Sequence, residues 1–76
     1  MKKYLSGELE FDYEQSPYLI DWHGTWLLDG PQGYEMWLEE FLNWNCYDSN
    51  DREVEDTKIL LEAEKALTIE IASVIV

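Results

Sequence analysis

Apolar and polar positions alternate along residues 3–14, KYLSGELEFDYE. This period of two predicts a half-buried strand with Leu5, Leu9, Phe11 and Tyr13 facing the core. Glu8, Glu10, Asp12 and Glu14 then lie on the opposite side. Gly7 falls in the inward register without a side chain and marks a candidate bulge. Glu14-Gln15-Ser16-Pro17 reads as a turn. Residues 18–28, YLIDWHGTWLL, form a second predicted strand, with Tyr18, Ile20, Trp22, Trp26 and Leu28 on one face and Asp21, His23 and Thr25 on the other. The two runs predict an antiparallel hairpin. His23-Gly24 offers an alternative as a bulge or a second tight turn.

The pattern then changes. Asp29, Pro31 and Gln32 fit the opening of a helix, with Asp29 as cap and Pro31 in the first turn. YEMWLEEFLNW sets Tyr34, Trp37, Leu38, Phe41 and Leu42 at helical spacing, with Glu35, Glu39, Glu40 and Asn43 facing away. A helix over 31–45 is predicted, followed by a polar loop, DSNDRE, at 48–53. Beyond it, Ile59, Leu61, Ala63, Leu67, Ile69 and Ile71 alternate, and the β-branched ending TIEIASVIV reads as strand. Two strands, 56–63 and 66–75, joined at Glu64-Lys65, are favoured over a helix followed by a strand. The expected fold is one α+β domain over 1–76 in the order β-β-α-β-β, with one amphipathic helix packed on a small antiparallel sheet.

Composition supports a packed core. The chain has 76 residues, 46% of them hydrophobic, with four Trp and five Tyr. Charge changes the picture more. The formal net charge is −12, and from Tyr4 to Asp51 there is no Lys or Arg among eleven acids. Ordinary soluble surfaces mix the two signs. An unmixed acidic surface destabilises the compact state by self-repulsion. Direct binding to nucleic acid or to an anionic membrane needs a basic footprint, which is missing here. The single cysteine, Cys46, excludes an intramolecular disulfide and fits a reducing cytoplasm. No signal-peptide pattern and no membrane-length apolar run are present.

Candidate chemistry is sparse. Nucleophilic catalysis needs a nucleophile, a base and an orienting group. The one histidine, His23, sits in DWHGTW, which matches no catalytic signature, and reads as a partly exposed strand residue near Trp22 or Trp26. Cys46 reads as a small packed residue, with no cation nearby to lower its pKa. A calcium loop fails in both registers. From Asp51 the sixth position is Asp56 rather than Gly, and from Asp48 the twelfth is Ile59. The expectation is therefore a non-enzymatic protein without metal or cofactor.

The acidic strand remains. Same-face residues on a strand repeat every ~6.6–7 Å. Phosphates along a nucleic-acid strand are separated by a similar distance. Glu8, Glu10, Asp12 and Glu14 thus offer anions at close to backbone spacing, and Glu35, Glu39 and Glu40 are expected to extend the field. Trp44 falls off the predicted helix stripe and, with Tyr47, is expected to anchor a partner. In size, charge and lack of catalytic apparatus the chain resembles small acidic proteins that phages and mobile elements use against host nucleic-acid enzymes, of anti-CRISPR, anti-restriction and nuclease-inhibitor types. The resemblance implies a nucleic-acid mimic that blocks a basic surface of a host protein in the host cytoplasm. The alternative is an adaptor or assembly module with an aromatic interface. Open sheet edges also leave room for a homodimer.

Overall fold

The computed structural model describes residues 1–75. Strands β1 (Lys2–Tyr13), β2 (Ser16–Asp29) and β3 (Met36–Tyr47) precede one helix, α1 (Thr57–Ile75). The strands form an antiparallel sheet in the order β1-β2-β3. The class is α+β, as the sequence predicts. The element order is strand, strand, strand, helix, which corrects the expected β-β-α-β-β.

The hairpin follows its pattern. Leu5 pairs with Gly24, Gly7 with Trp22, Leu9 with Ile20 and Phe11 with Tyr18, all on the face that α1 covers. Gly7 is not a bulge. It pairs in regular register, and the Trp22 indole occupies the space above it, so that an added Cβ would meet Trp22 Cζ2 at 3.3 Å. The indole nitrogen of Trp22 is buried there without a hydrogen-bond partner. The turn is tighter than expected. Glu14 and Gln15 alone make it, with φ of 49° and 68°, the double positive φ of a type I′ turn. His23-Gly24 continues the strand and makes no turn.

Residues 36–47 are a strand, where a helix is predicted. The cause is an irregularity between Thr25 and Trp26, where Phe41 and Glu39 pair with successive β2 residues and Glu40 is the extra one. A bulge shifts the side-chain alternation by one residue. Trp37 lies inward before it, and Leu42, Trp44 and Cys46 lie inward after it. That offset makes two stretches of period two look like one helical stripe. Asp29 consequently ends β2 rather than capping a helix, and its carboxylate accepts the Gly30 N–H at 2.9 Å. Pro31 belongs to the connection between β2 and β3. Gly24 permits the close approach of β3, for an added Cβ would stand 2.5 Å from the Phe41 carbonyl oxygen.

The C-terminal segment is helix, where two strands are predicted. Asp56 caps it by accepting the Lys58 N–H at 2.9 Å. Ala63, Leu67 and Ile75 are buried, and Ile59, Leu60 and Ile71 pack beside them at spacings of three and four. Glu64 and Lys65, expected in a turn, are mid-helix. The helix formers of KILLEAEKAL outweigh the β-branched ending, whose helix cost is well under ~1 kcal/mol per residue. The core joins Ile20, Trp22, Trp26, Cys46, Ala63, Leu67 and Ile75. No helix among the described residues is long and apolar enough to cross a membrane.

Candidate binding face

The helix covers one face of the sheet, and among the described residues the other carries no second layer. The cross-strand register assigns this open face row by row. Lys2, Leu27 and Leu38 stand at one end. Tyr4, Thr25 and Phe41 come next, then Ser6, His23 and Asn43. Glu8, Asp21 and Asn45 follow, then Glu10, Leu19 and Tyr47, with Asp12 and Pro17 at the hairpin end.

The acidic row forms as far as the strand runs. Glu8, Glu10 and Asp12 are exposed on the open face of edge strand β1, ~6.6–7 Å apart by strand geometry. Glu14 leaves the row because it sits in the turn. Asp21 joins instead, directly opposite Glu8. Like charges so placed are destabilising. Glu10 also borders a shallow depression that includes Asp48 and Asp51. Asp48 is committed internally, since its carboxylate accepts the N–H groups of Asn50 at 2.8 Å and Arg52 at 3.0 Å.

Glu35, Glu39 and Glu40 do not extend this field, because they lie towards the other end of the sheet. Glu35 is in the β2–β3 connection, and Glu39 pairs with Trp26 at the bulge. Glu40 accepts from Lys2 Nζ at 2.8 Å and from Thr25 Oγ1 at 3.2 Å. The hydrogen bond from Lys2 holds the Glu40 carboxyl below its usual range, and the same contact raises Lys2. Lys2 and Lys3 are the only cations on the three strands. Lys3 turns to the covered face, with Nζ 4.8 Å from the Trp37 ring centre. The acids beyond Lys2 are thus uncompensated by any strand cation.

The expected aromatic anchors change. Trp44 is half-buried against the core on the covered face, not exposed. Once β3 is a strand, the inward parity of Trp44 matches that of Cys46. Tyr47 is half-buried on the open face beside Leu19. The exposed aromatics of the open face are Tyr4, at 76% exposure, and Phe41, at 50%, while Tyr34 is exposed in the β2–β3 connection. Tyr4 shares the outward parity of Glu8 and was legible from the alternation. Phe41 was hidden by the bulge. His23 is exposed on the open face, and its neighbour is Phe41, with ring centres 5.8 Å apart, rather than either tryptophan. Cys46 is buried, and burial pushes its thiol up, with the charge of Asp48 adding to the effect.

Among the described residues, no group of three or more His, Cys, Asp or Glu side chains is placed to hold a metal ion. No family model, curated protein or solved structure matches the chain.

Proposed function

We propose that this chain is a non-enzymatic inhibitor that occupies a basic nucleic-acid-binding surface of a host protein. It would act in the host cytoplasm and derive from a phage or mobile element, in the manner of anti-CRISPR, anti-restriction or nuclease-inhibitor proteins. The observation that carries this reading is the uncompensated array of Glu8, Glu10, Asp12 and Asp21 on one open face. Glu8 and Asp21 repel each other across the strands, a cost that folding alone does not require. Three of the acids repeat at close to phosphate spacing. Such a field speeds association with a cationic partner, and the gain falls as salt rises.

A second reading draws on a specific feature. Tyr4, Leu27, Met36, Leu38 and Phe41 are exposed at the opposite end of the molecule, and an apolar patch of this kind suits an adaptor or assembly module. Affinity capture from a bacterial lysate separates the two. The protein is presented as wild type and with Glu8, Glu10 and Asp12 changed to Gln and Asp21 to Asn. Nucleic-acid enzymes retained by the wild type, lost with the variant and released by duplex DNA support the inhibitor. Partners without nucleic-acid function, held equally by both forms at raised salt, replace it with the assembly module.

A further inference from the structure

We infer that the notch between Tyr4 and Phe41 seats an arginine side chain of the protein partner. The Glu8–Asp21 pair then receives that partner's next basic residue. The inference rests on the reading of the open face as a surface for a cationic protein, and it names how that protein is gripped.

The notch is a concavity of about 260 Å³ in which Tyr4, Ser6, His23, Thr25 and Phe41 converge. Its walls are the two most exposed aromatic rings of the open face. The chain's own Lys2 shows what chemistry this neighbourhood accepts. Its ammonium lies 5.8 Å from the Tyr4 ring centre and 2.8 Å from the Glu40 carboxylate. Lys2 already holds that carboxylate, so what the notch offers a further cation is the exposed faces of the Tyr4 and Phe41 rings. Arginine suits it better than lysine, because the guanidinium is flat, weakly hydrated and stacks on rings.

Charge selects the occupant. A second copy would bring another −12 to a face whose one strand cation, Lys2, is already paired with Glu40. A purely apolar segment would fill the notch and leave Glu8, Glu10, Asp12 and Asp21 unmet. A basic segment satisfies both halves. Tyr4 and Glu8 are separated by four residues along β1, or ~13 Å. An extended partner segment lying along the strands therefore presents basic side chains four residues apart.

The test uses a short serine peptide carrying two arginines four residues apart, with lysine–lysine and leucine–arginine counterparts. Binding to the wild-type protein is followed by NMR. The expected result is shifts at Tyr4, Thr25 and Phe41 together with Glu8 and Asp21, tightest for the arginine peptide. The double variant Tyr4→Ala/Phe41→Ala should bind it about tenfold more weakly, through the loss of two cation–π contacts. Both side chains are exposed, so the variant keeps its fold, as its amide spectrum will show.

Shifts confined to Glu8 and Asp21, or unchanged affinity in the double variant, overturn the notch while leaving the acidic reading intact. Equal binding of the leucine–arginine peptide makes the site apolar and also overturns it. So does a wild-type dimer in sedimentation that the double variant abolishes. The reverse split, with the peptide seated in the notch but no nucleic-acid enzyme captured, sinks the proposed function and leaves the notch standing.

Discussion

The two faces of one sheet carry the same residue types to opposite ends. On the covered face, Trp22 and Trp26 are each only 3% exposed and meet edge to face, with ring centres 6.3 Å apart. On the open face, Tyr4 and Phe41 keep their rings in water, and two rows further along Glu8 and Asp21 repel each other. Burial of apolar area drives folding, so aromatic residues on the covered face hold the molecule together. The open face contributes little to that and carries a repulsion the fold does not need. This asymmetry is what the proposed inhibitor reading draws on. The difference also predicts opposite responses to mutation, and the experiments below rank by how strongly they test it.

The covered face should break first. Ile20→Ala or Leu67→Ala removes a side chain that is at most 2% exposed and should cost ~2–5 kcal/mol, read from chemical denaturation. For a domain this small that is a large share of the total. Gly24→Ala should cost ~1–3 kcal/mol by forcing β3 away from its place, given the 2.5 Å approach of the Phe41 carbonyl. A midpoint that does not move would show that β3 is not held there.

The hairpin turn should improve on replacement. Glu14 and Gln15 both hold positive φ, at ~1–2 kcal/mol each for residues with a side chain. Changing the pair to Asn-Gly should therefore stabilise by ~1 kcal/mol or more. Asp21→Asn on the open face should stabilise by ~0.2–1 kcal/mol by relieving the repulsion with Glu8. Destabilisation instead would mean that the open-face acids serve the fold.

The smallest effects are read by titration. Glu40 is lowered from 4.5 by its hydrogen bond with Lys2. Its contribution is present above that value and is lost as pH falls through the folded value. Lys2 is raised above 10.5, so its contribution is present below that value and is lost at higher pH. Carboxyl NMR of Glu40 checks the pair, and Lys2→Met should return Glu40 towards 4.5. Burial raises Cys46 above 9.0, so a thiol reagent should modify it only on unfolding. Rapid labelling of the folded protein would show that the covered face opens.

How far the sequence could be read depended on whether alternation ran unbroken. In β1 and the first part of β2 it does, so strand identity, inward parity and the outward acids were all legible. In 34–44 the bulge at Glu40 joins two registers, and the combined spacing of Trp37, Leu38, Phe41 and Leu42 copies a helix. A bulge is a pairing event with β2, and no local propensity announces it. In 57–75 the competition was between helix formers and a β-branched ending. It was decided for the helix, in which Leu60, Ala63, Leu67, Ile71 and Ile75 reach the core while Leu61 and Ile69, which alternation groups with Ala63 and Leu67, are exposed.

The candidate site divided in the same way. Glu8, Glu10 and Asp12 were readable because they lie within one strand. Their partner Asp21, the diversion of Glu40 to Lys2 and the exposure of Phe41 all depend on cross-strand register.

The sequence by itself determined the hairpin, the outward acidic row and the shortage of cations, because these follow from a period of two and from composition. Only the tertiary structure decided that the third segment is a strand and the last a helix. It also put Tyr4 and Phe41 together on an open acidic face. Those outcomes depend on which surfaces meet, and burial against the sheet outweighs local preferences of a fraction of a kcal/mol per residue.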